Sequence, residues 1–218
     1  MPAVIRAPSP EALAALAAER IAGLLRSAVD EFNRATLALS GGTTPWATYE
    51  ALRRQPAPWH DVTILQVDER IAPAGDPARN ATGITERFAG MDVRLMPVDP
   101  PDPEGYATLL ASLAGSPPVL DVVVLGIGND GHTASLLPGD PVIRERERAV
   151  AVTGPYKGHR RMTLTFPVLD AARHLVLLAG GRSKRQAVAG LLAADPSVPA
   201  GRLAPDRLTV IADAAALG

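Results

Sequence analysis

Near the middle of the chain, Leu120-Asp121-Val122-Val123-Val124-Leu125 is apolar at every position but one. A run without polar alternation suits a strand covered on both faces, as in a parallel sheet held between helices. The rest of the 218 residues supports that reading. Further strands are expected at Thr36–Leu39, Val62–Val67, Val93–Met96, Ala149–Thr153, Met162–Phe166, His174–Ala179 and Leu208–Ile211. Ser9-Pro10-Glu11 combines a capping side chain, a first-turn proline and an acid near the positive helix end. It opens a helix expected to reach about Val29. Other helices are expected at Thr44–Arg54, Asn80–Phe88, Glu104–Leu113 and Ser183–Ala193. Such alternation predicts an α/β fold with a mainly parallel sheet and helices on both sides.

Repeats, low-complexity tracts and linkers are absent, and the proline-rich patches Pro97–Pro103 and Ser116–Pro118 are loop-sized. Residues 1–218 therefore read as a single domain. No stretch approaches the ~20 apolar residues of a membrane span, and Met1–Pro10 lacks the layout of a secretory signal. The chain has no cysteine, which excludes thiol chemistry and fits a reducing, cytoplasmic setting. Net charge is −1 with acids and bases scattered, so no overall basic excess suggests a nucleic-acid partner. Lys157 and Lys184 are the only lysines among 22 basic residues, which gives Lys184 some weight as a retained ammonium.

In sheets of this kind ligands bind beyond the carboxyl ends of the strands. Four motifs are expected there. Ser40-Gly41-Gly42-Thr43-Thr44-Pro45 follows a strand and opens a helix. Its glycines and free helix-start N–H groups suit phosphate, or it is a tight turn with an ordinary cap. Asp68-Glu69-Arg70 ends a strand. It is either a solvated loop start or a carboxylate and guanidinium placed for hydroxyls and phosphate.

Gly126-Ile127-Gly128-Asn129-Asp130-Gly131-His132-Thr133 contains G-x-G-x-x-G spacing, but Pro138 interrupts any long helix after it. A dinucleotide fingerprint needs that helix. The alternative is a glycine loop in which Asp130 sets the tautomer of His132, an imidazole suited to taking a proton from water. The fourth region is basic: Lys157-Gly158-His159-Arg160-Arg161, and Gly180-Gly181-Arg182-Ser183-Lys184. Ser183 reads as a helix cap, placing Lys184 in the first turn, where a cation opposes the dipole and a bound anion would relieve it. Arg144-Glu145-Arg146-Glu147-Arg148 reads as a solvated segment. His60 and His174 have no evident partners and read as structural. There is no metal-ligand spacing, no G-x-S-x-G elbow and no Walker A loop.

Taken in order, these motifs resemble the lactonase branch of the glucosamine-6-phosphate isomerase/6-phosphogluconolactonase family. The likeness runs from Leu39–Pro45 through Val67–Arg70, Asn80 and Gly126–Thr133 to Ala134-Ser135-Leu136-Leu137-Pro138-Gly139. It continues through Arg161–Thr165 and Pro167-Val168-Leu169-Asp170-Ala171-Ala172 to Lys184. In the deaminase branch isoleucine typically follows the histidine, and the tail carries asparagine and glutamate. Here Thr133 follows His132, and no glutamate occurs before Glu145.

The resemblance implies a Rossmann-like three-layer α/β/α sandwich, no cofactor, and a phosphorylated sugar lactone of the oxidative pentose phosphate pathway as substrate. It implies His132 as general base with Asp130 beside it. Ser40, Gly41, Gly42, Thr43, Asp68, Arg70, Asn80, Gly128, Arg161 and Lys184 would bind sugar and phosphate. Arg79 departs from the family, where lactonases often carry serine. A monomer or weak homo-oligomer is expected, without nucleic-acid or membrane partners. The rival readings are an amino-sugar-phosphate deaminase using Asp68, a non-catalytic sugar-phosphate sensor, and a dinucleotide oxidoreductase.

Overall fold

A computed structural model describes residues 1–218. Its strands are β1 Ala3–Ala7, β2 Ala35–Leu39, β3 Val62–Gln66, β4 Asp68–Arg70, β5 Asp92–Arg94, β6 Val122–Gly126, β7 Val150–Val152, β8 Arg161–Leu164, β9 His174–Ala179 and β10 Leu208–Asp213. The helices are α1 Pro10–Phe32, α2 Thr43–Leu52, α3 Asn80–Arg87, α4 Pro103–Ala114, α5 Phe166–Ala171, α6 Arg185–Leu192 and α7 Ala214–Leu217. None is long and apolar enough to cross a membrane.

Seven strands form a sheet in the order β1-β10-β9-β6-β2-β3-β5, with every neighbouring pair parallel. Alternate residues on each strand feed opposite cores. Val122, Val124, Leu37, Leu39, Val176 and Leu178 share one core with the inner faces of α1, α2 and α3. Val123, Leu125, Ala38, Leu175 and Leu177 share the other with α4 to α7 and the small sheet β4-β8-β7. This is the expected α/β/α sandwich, and it explains why the central run is apolar on both faces.

The one polar residue of that run has a fixed task. Buried Asp121 accepts hydrogen bonds from the Thr36 amide and Thr36 Oγ1, both at 2.8 Å, and pairs with Arg173 Nε at 3.2 Å. It thereby ties the start of β6 to the start of β2. From there the sheet order reverses, since β3 lies on one side of β2 and β6 on the other. Such a switch point opens a crevice at the carboxyl ends of its strands.

Several elements differ from the sequence expectation. Strand β1 is absent from that reading: the short run Ala3-Val4-Ile5-Arg6-Ala7 is an edge strand with only Ala7 buried, directly ahead of the helix start at Ser9. Asp68–Arg70, Ala149–Thr153 and Met162–Phe166 do not extend the parallel sheet; they form the separate antiparallel trio. β8 stops at Leu164 because Thr165 takes the N-cap position of α5 and Pro167 sits in its first turn. Ser183 is not a helix cap: Arg182–Lys184 is a 3-10 turn, and Lys184 takes the N-cap position of α6. Arg144–Arg148 is largely exposed, as expected; within it the Glu145 carboxylate accepts the amides of Arg146, Glu147 and Arg148 and pairs with Arg148. Those bonds, chiefly from the Glu147 and Arg148 amides, lower its pKa to about 2.

Asp121→Ala leaves two Thr36 donors buried without an acceptor. The expected loss is about 1–3 kcal/mol, seen as a lower urea midpoint at unchanged m-value. Asp121→Asn, which keeps one acceptor, should recover part of it. An unchanged midpoint in the alanine variant would show the tie to be dispensable.

Candidate active site

After β6, the chain turns back on itself within a few residues. The Gly128 amide donates to the His132 carbonyl at 2.8 Å, and the Gly131 amide donates to the Gly128 carbonyl at 3.0 Å. Gly131 has φ +81°, open mainly to glycine. A Cβ on Gly128 would lie 2.1 Å from His132 Nδ1 and 2.5 Å from Asp130 Oδ1. Glycine there lets both functional side chains lie across the backbone. The next helical element is only the 3-10 turn Pro141–Arg144, so the strand–turn–helix unit of a dinucleotide site is not formed.

Asp130 Oδ1 lies 2.5 Å from His132 Nδ1, and Tyr156 Oη donates to Asp130 Oδ2 at 3.0 Å. Burial works to raise the Asp130 pKa, but His132 and the hydrogen bonds from His132 and Tyr156 outweigh it and hold the carboxyl below its usual range. An ionised carboxylate only accepts, so the proton is assigned to Nδ1, leaving the Nε2 lone pair free. Nε2 has no hydrogen-bond partner within the protein. Because the Asp130 pKa is depressed by folding, this contact is favourable above the unfolded carboxyl range and is lost as pH falls through the folded value.

The facing wall is made by β4 and β8, where Arg70 stands directly opposite Arg161. Like charges in register repel. Arg161 is buried, its Nε has no partner, and its guanidinium lies over the Tyr156 ring at 5.1 Å. Burial lowers its pKa, Asp68 opposes this, and Arg70 adds to it. Asp68 is buried too, accepting from Ser135 Oγ at 2.6 Å and from Asn80 Nδ2 at 3.4 Å. Asn80 Oδ1 accepts from Arg70, and it lies where a Cβ on Gly41 would need to be.

At the top of the cleft, α2 is preceded by Gly42, its N-cap position, with φ +124° and no side-chain cap. Its first N–H groups therefore stay available to an anion. Ser40 Oγ is buried without a partner beside them. The Ser40 carbonyl accepts from buried Tyr49 Oη at 2.8 Å, fixing the loop from behind. Across the cleft, Asp213 accepts the Gly181 amide at 2.8 Å and holds the turn carrying Lys184. Burial lowers the Lys184 pKa, Asp130 opposes this, and Lys157 adds to it.

These groups border one cavity of ≈ 520 Å³, with only 4 of its 23 lining residues hydrophobic. That composition suits a small, charged, hydroxylated ligand better than an apolar one. Ser40, Gly41, Gly42, Thr43, Asp68, Arg70, Asn80, Gly128, Asp130, His132, Arg161 and Lys184 all line it. Glu69 lies behind the wall, fully buried, and His159 and Arg160 fall outside the lining. Arg79 also faces inward, with Nε 3.8 Å from Glu69 Oε2. His60 and His174 are remote from the cleft.

Sequence reasoning misses Tyr156 and Asp213. The aromatic ahead of the basic run and the acid closing the last strand are the only local signals of either.

The model of the family described as glucosamine-6-phosphate isomerases/6-phosphogluconolactonase matches residues 8–212. A 6-phosphogluconolactonase of Synechocystis sp. is 36% identical over 190 residues, covering 79% of this chain and 78% of that protein. One from Pseudomonas aeruginosa is 36% identical over 193 residues, covering 83% and 80%. The crystal structure of a 6-phosphogluconolactonase from Shewanella baltica superposes with a TM-score of 0.83 at 28% identity, covering 98% of this chain and 97% of that one.

Inorganic phosphate should raise the melting temperature of the protein by occupying the anion site. The increment should shrink at least by half in Arg161→Gln and in Arg70→Gln, each compared with its own phosphate-free melt. An increment the same in all three proteins would remove the paired arginines from anion binding.

Proposed function

We propose that this chain, which belongs to the glucosamine-6-phosphate isomerase/6-phosphogluconolactonase family, hydrolyses 6-phospho-D-glucono-1,5-lactone to 6-phosphogluconate. The observation that carries the proposal is the tethered imidazole. His132 Nδ1 is held by an ionised carboxylate while Nε2 is unengaged beside a polar cavity. A base of that kind activates water. A nearby anion-binding wall selects a phosphorylated substrate.

In this mechanism the phosphate is held by Arg70 and Arg161, with the open start of α2 and Lys184 completing the cationic surround. Positioning of the lactone supplies much of the rate advantage. Asp68, Asn80 and Ser40 hold hydroxyls. His132 Nε2 takes a proton from water as the oxygen attacks the lactone carbonyl. The tetrahedral intermediate then collapses with cleavage of the bond to the ring oxygen, and His132 returns the proton to that oxygen. Asp130 keeps the imidazole in the tautomer this needs and stabilises the transient imidazolium. The pathway context is the oxidative pentose phosphate route, in which such lactones arise.

The test compares wild type with His132→Ala on freshly generated lactone, above spontaneous hydrolysis. The variant is expected to lose about 10²–10⁴-fold in kcat. Wild-type kcat/KM should fall on acidification, because protonated Nε2 cannot accept, and a flat profile from pH 5 to 8 would rule out the imidazole base. Ammonia release from glucosamine 6-phosphate without lactone turnover would replace the lactonase reading with a deaminase.

A further inference from the structure

The hairpin joining β7 and β8 reaches the cleft, where Tyr156 and Lys157 line it. At its tip the Tyr156 amide donates to the His159 carbonyl at 2.8 Å and the His159 amide donates back at 3.2 Å. The two residues between them, Lys157 and Gly158, have φ of +49° and +85°. This is the two-residue turn that normally takes Asn-Gly, because both positions lie in left-handed space. A lysine there is conformationally unfavourable. The tip nevertheless carries one of only two lysines in the chain.

The turn delivers Tyr156 to the catalytic loop. Its hydroxyl donates to Asp130 Oδ2 at 3.0 Å, on the oxygen that His132 does not use. Its ring meets the His132 ring edge-on, with centroids 5.6 Å apart, and the Arg161 guanidinium lies over it. A carboxylate on an exposed loop can rotate and offer His132 either oxygen. Pinned at Oδ2, it presents Oδ1 to Nδ1 in one orientation only.

We propose that Tyr156 is a positioning residue that locks the Asp130–His132 pair through its hydrogen bond to Asp130 Oδ2, making the β7–β8 hairpin part of the catalytic apparatus. The titratable and charged groups facing Asp130 are His132 on its own loop, Tyr156 and Arg161 from the hairpin, and Lys184 from the turn after β9. Lys157 faces the Tyr156 ring and Lys184. Tyr156 is a neutral donor to Oδ2, so its hydroxyl can be removed without altering the charge of the site. That hydroxyl draws negative charge away from Oδ1. Without it Asp130 is the stronger acceptor and favours the protonated imidazole.

Tyr156→Phe keeps the ring contacts and deletes only the donor. As a turnover measurement the test rests on the lactonase reading. The expected result is a 3- to 10-fold fall in kcat at little changed KM, with the acid limb of kcat/KM displaced to higher pH by several tenths of a unit. A raised KM with kcat intact would make Tyr156 a substrate contact, and a lowered melting temperature with an unmoved pH profile would make it merely structural. Either overturns the proposal. The titration midpoint of the Asp130–His132 pair, followed by proton NMR of the imidazole in wild type and Tyr156→Phe, needs no turnover. Should the wild type prove inactive on lactone, an upward displacement of that midpoint still supports the lock, and coincident curves refute it.

Discussion

One side wall of the cleft hangs on a single carboxylate that never sees solvent. Glu69 accepts hydrogen bonds from Gln66 Nε2, the Arg70 amide, the Asn80 amide and the Ala81 amide, all between 2.7 and 2.8 Å. The chain passes here from β3 of the parallel sheet into β4 of the antiparallel one. The junction is continuous, since Val67 donates to the Leu39 carbonyl and accepts from the Leu164 amide. A buried charge is tolerable only when fully satisfied. Glu69 meets that condition by closing the amino end of α3, and in doing so it aims Asn80 and Arg70 into the cavity. The two helix starts bordering the cleft are consequently unlike. The first turn of α3 is occupied by Glu69, whereas that of α2 has no side-chain cap and remains open to a ligand.

The opposite wall works by a different economy of groups. The Gly126–His132 loop buries little side chain of its own, and Asp130 and His132 retain 37% and 19% side-chain exposure. Its shape comes from two internal amide bonds and from glycines whose missing Cβ atoms make room for the imidazole and for Val198. Backbone thus fixes where the pair sits, and hydrogen bonds fix which way each ring and carboxylate faces. That division matches the chemistry. The base of the proposed mechanism must be reachable from solvent, so burial cannot be what orients it.

Much of this was legible in the residue pattern, and the exceptions have physical causes. The apolar run at Val122–Leu125 and the glycine-rich loop after it are local signals: the first forms the central strand, and the second brings Asp130 against His132. The register that sets Arg70 against Arg161 is not local, because it depends on a hairpin some ninety residues downstream pairing with a three-residue strand. A strand that short has no period to detect. In the sequence Glu69 and its neighbours form one charged cluster, although alternation along β4 sends Asp68 and Arg70 to the cavity side and Glu69 into the protein. Tyr156 escaped notice because aromatics ahead of basic runs are common in exposed loops, and only the fold brings this one to Asp130. The supposed cap at Ser183 failed for a simpler reason: the chain makes a 3-10 turn first, which shifts the helix start by one residue.

The charge arrangement supports the proposed anion site. Over the whole chain acids and bases nearly cancel, at −1. In the cleft, however, Arg70, Lys157, Arg161 and Lys184 face only Asp68 and Asp130. Both carboxylates are already engaged by neutral donors, Ser135 and Asn80 on one and Tyr156 on the other. The cations are therefore left under-compensated, with Arg161 and Lys184 both pulled toward their neutral forms by burial and by neighbouring positive charge. In the proposed function, a phosphate held between these cations would relieve their mutual repulsion, so that part of its attraction would be set by the fold itself. The stability given up locally is carried by the double-sided core beneath, where the sheet is covered on both faces.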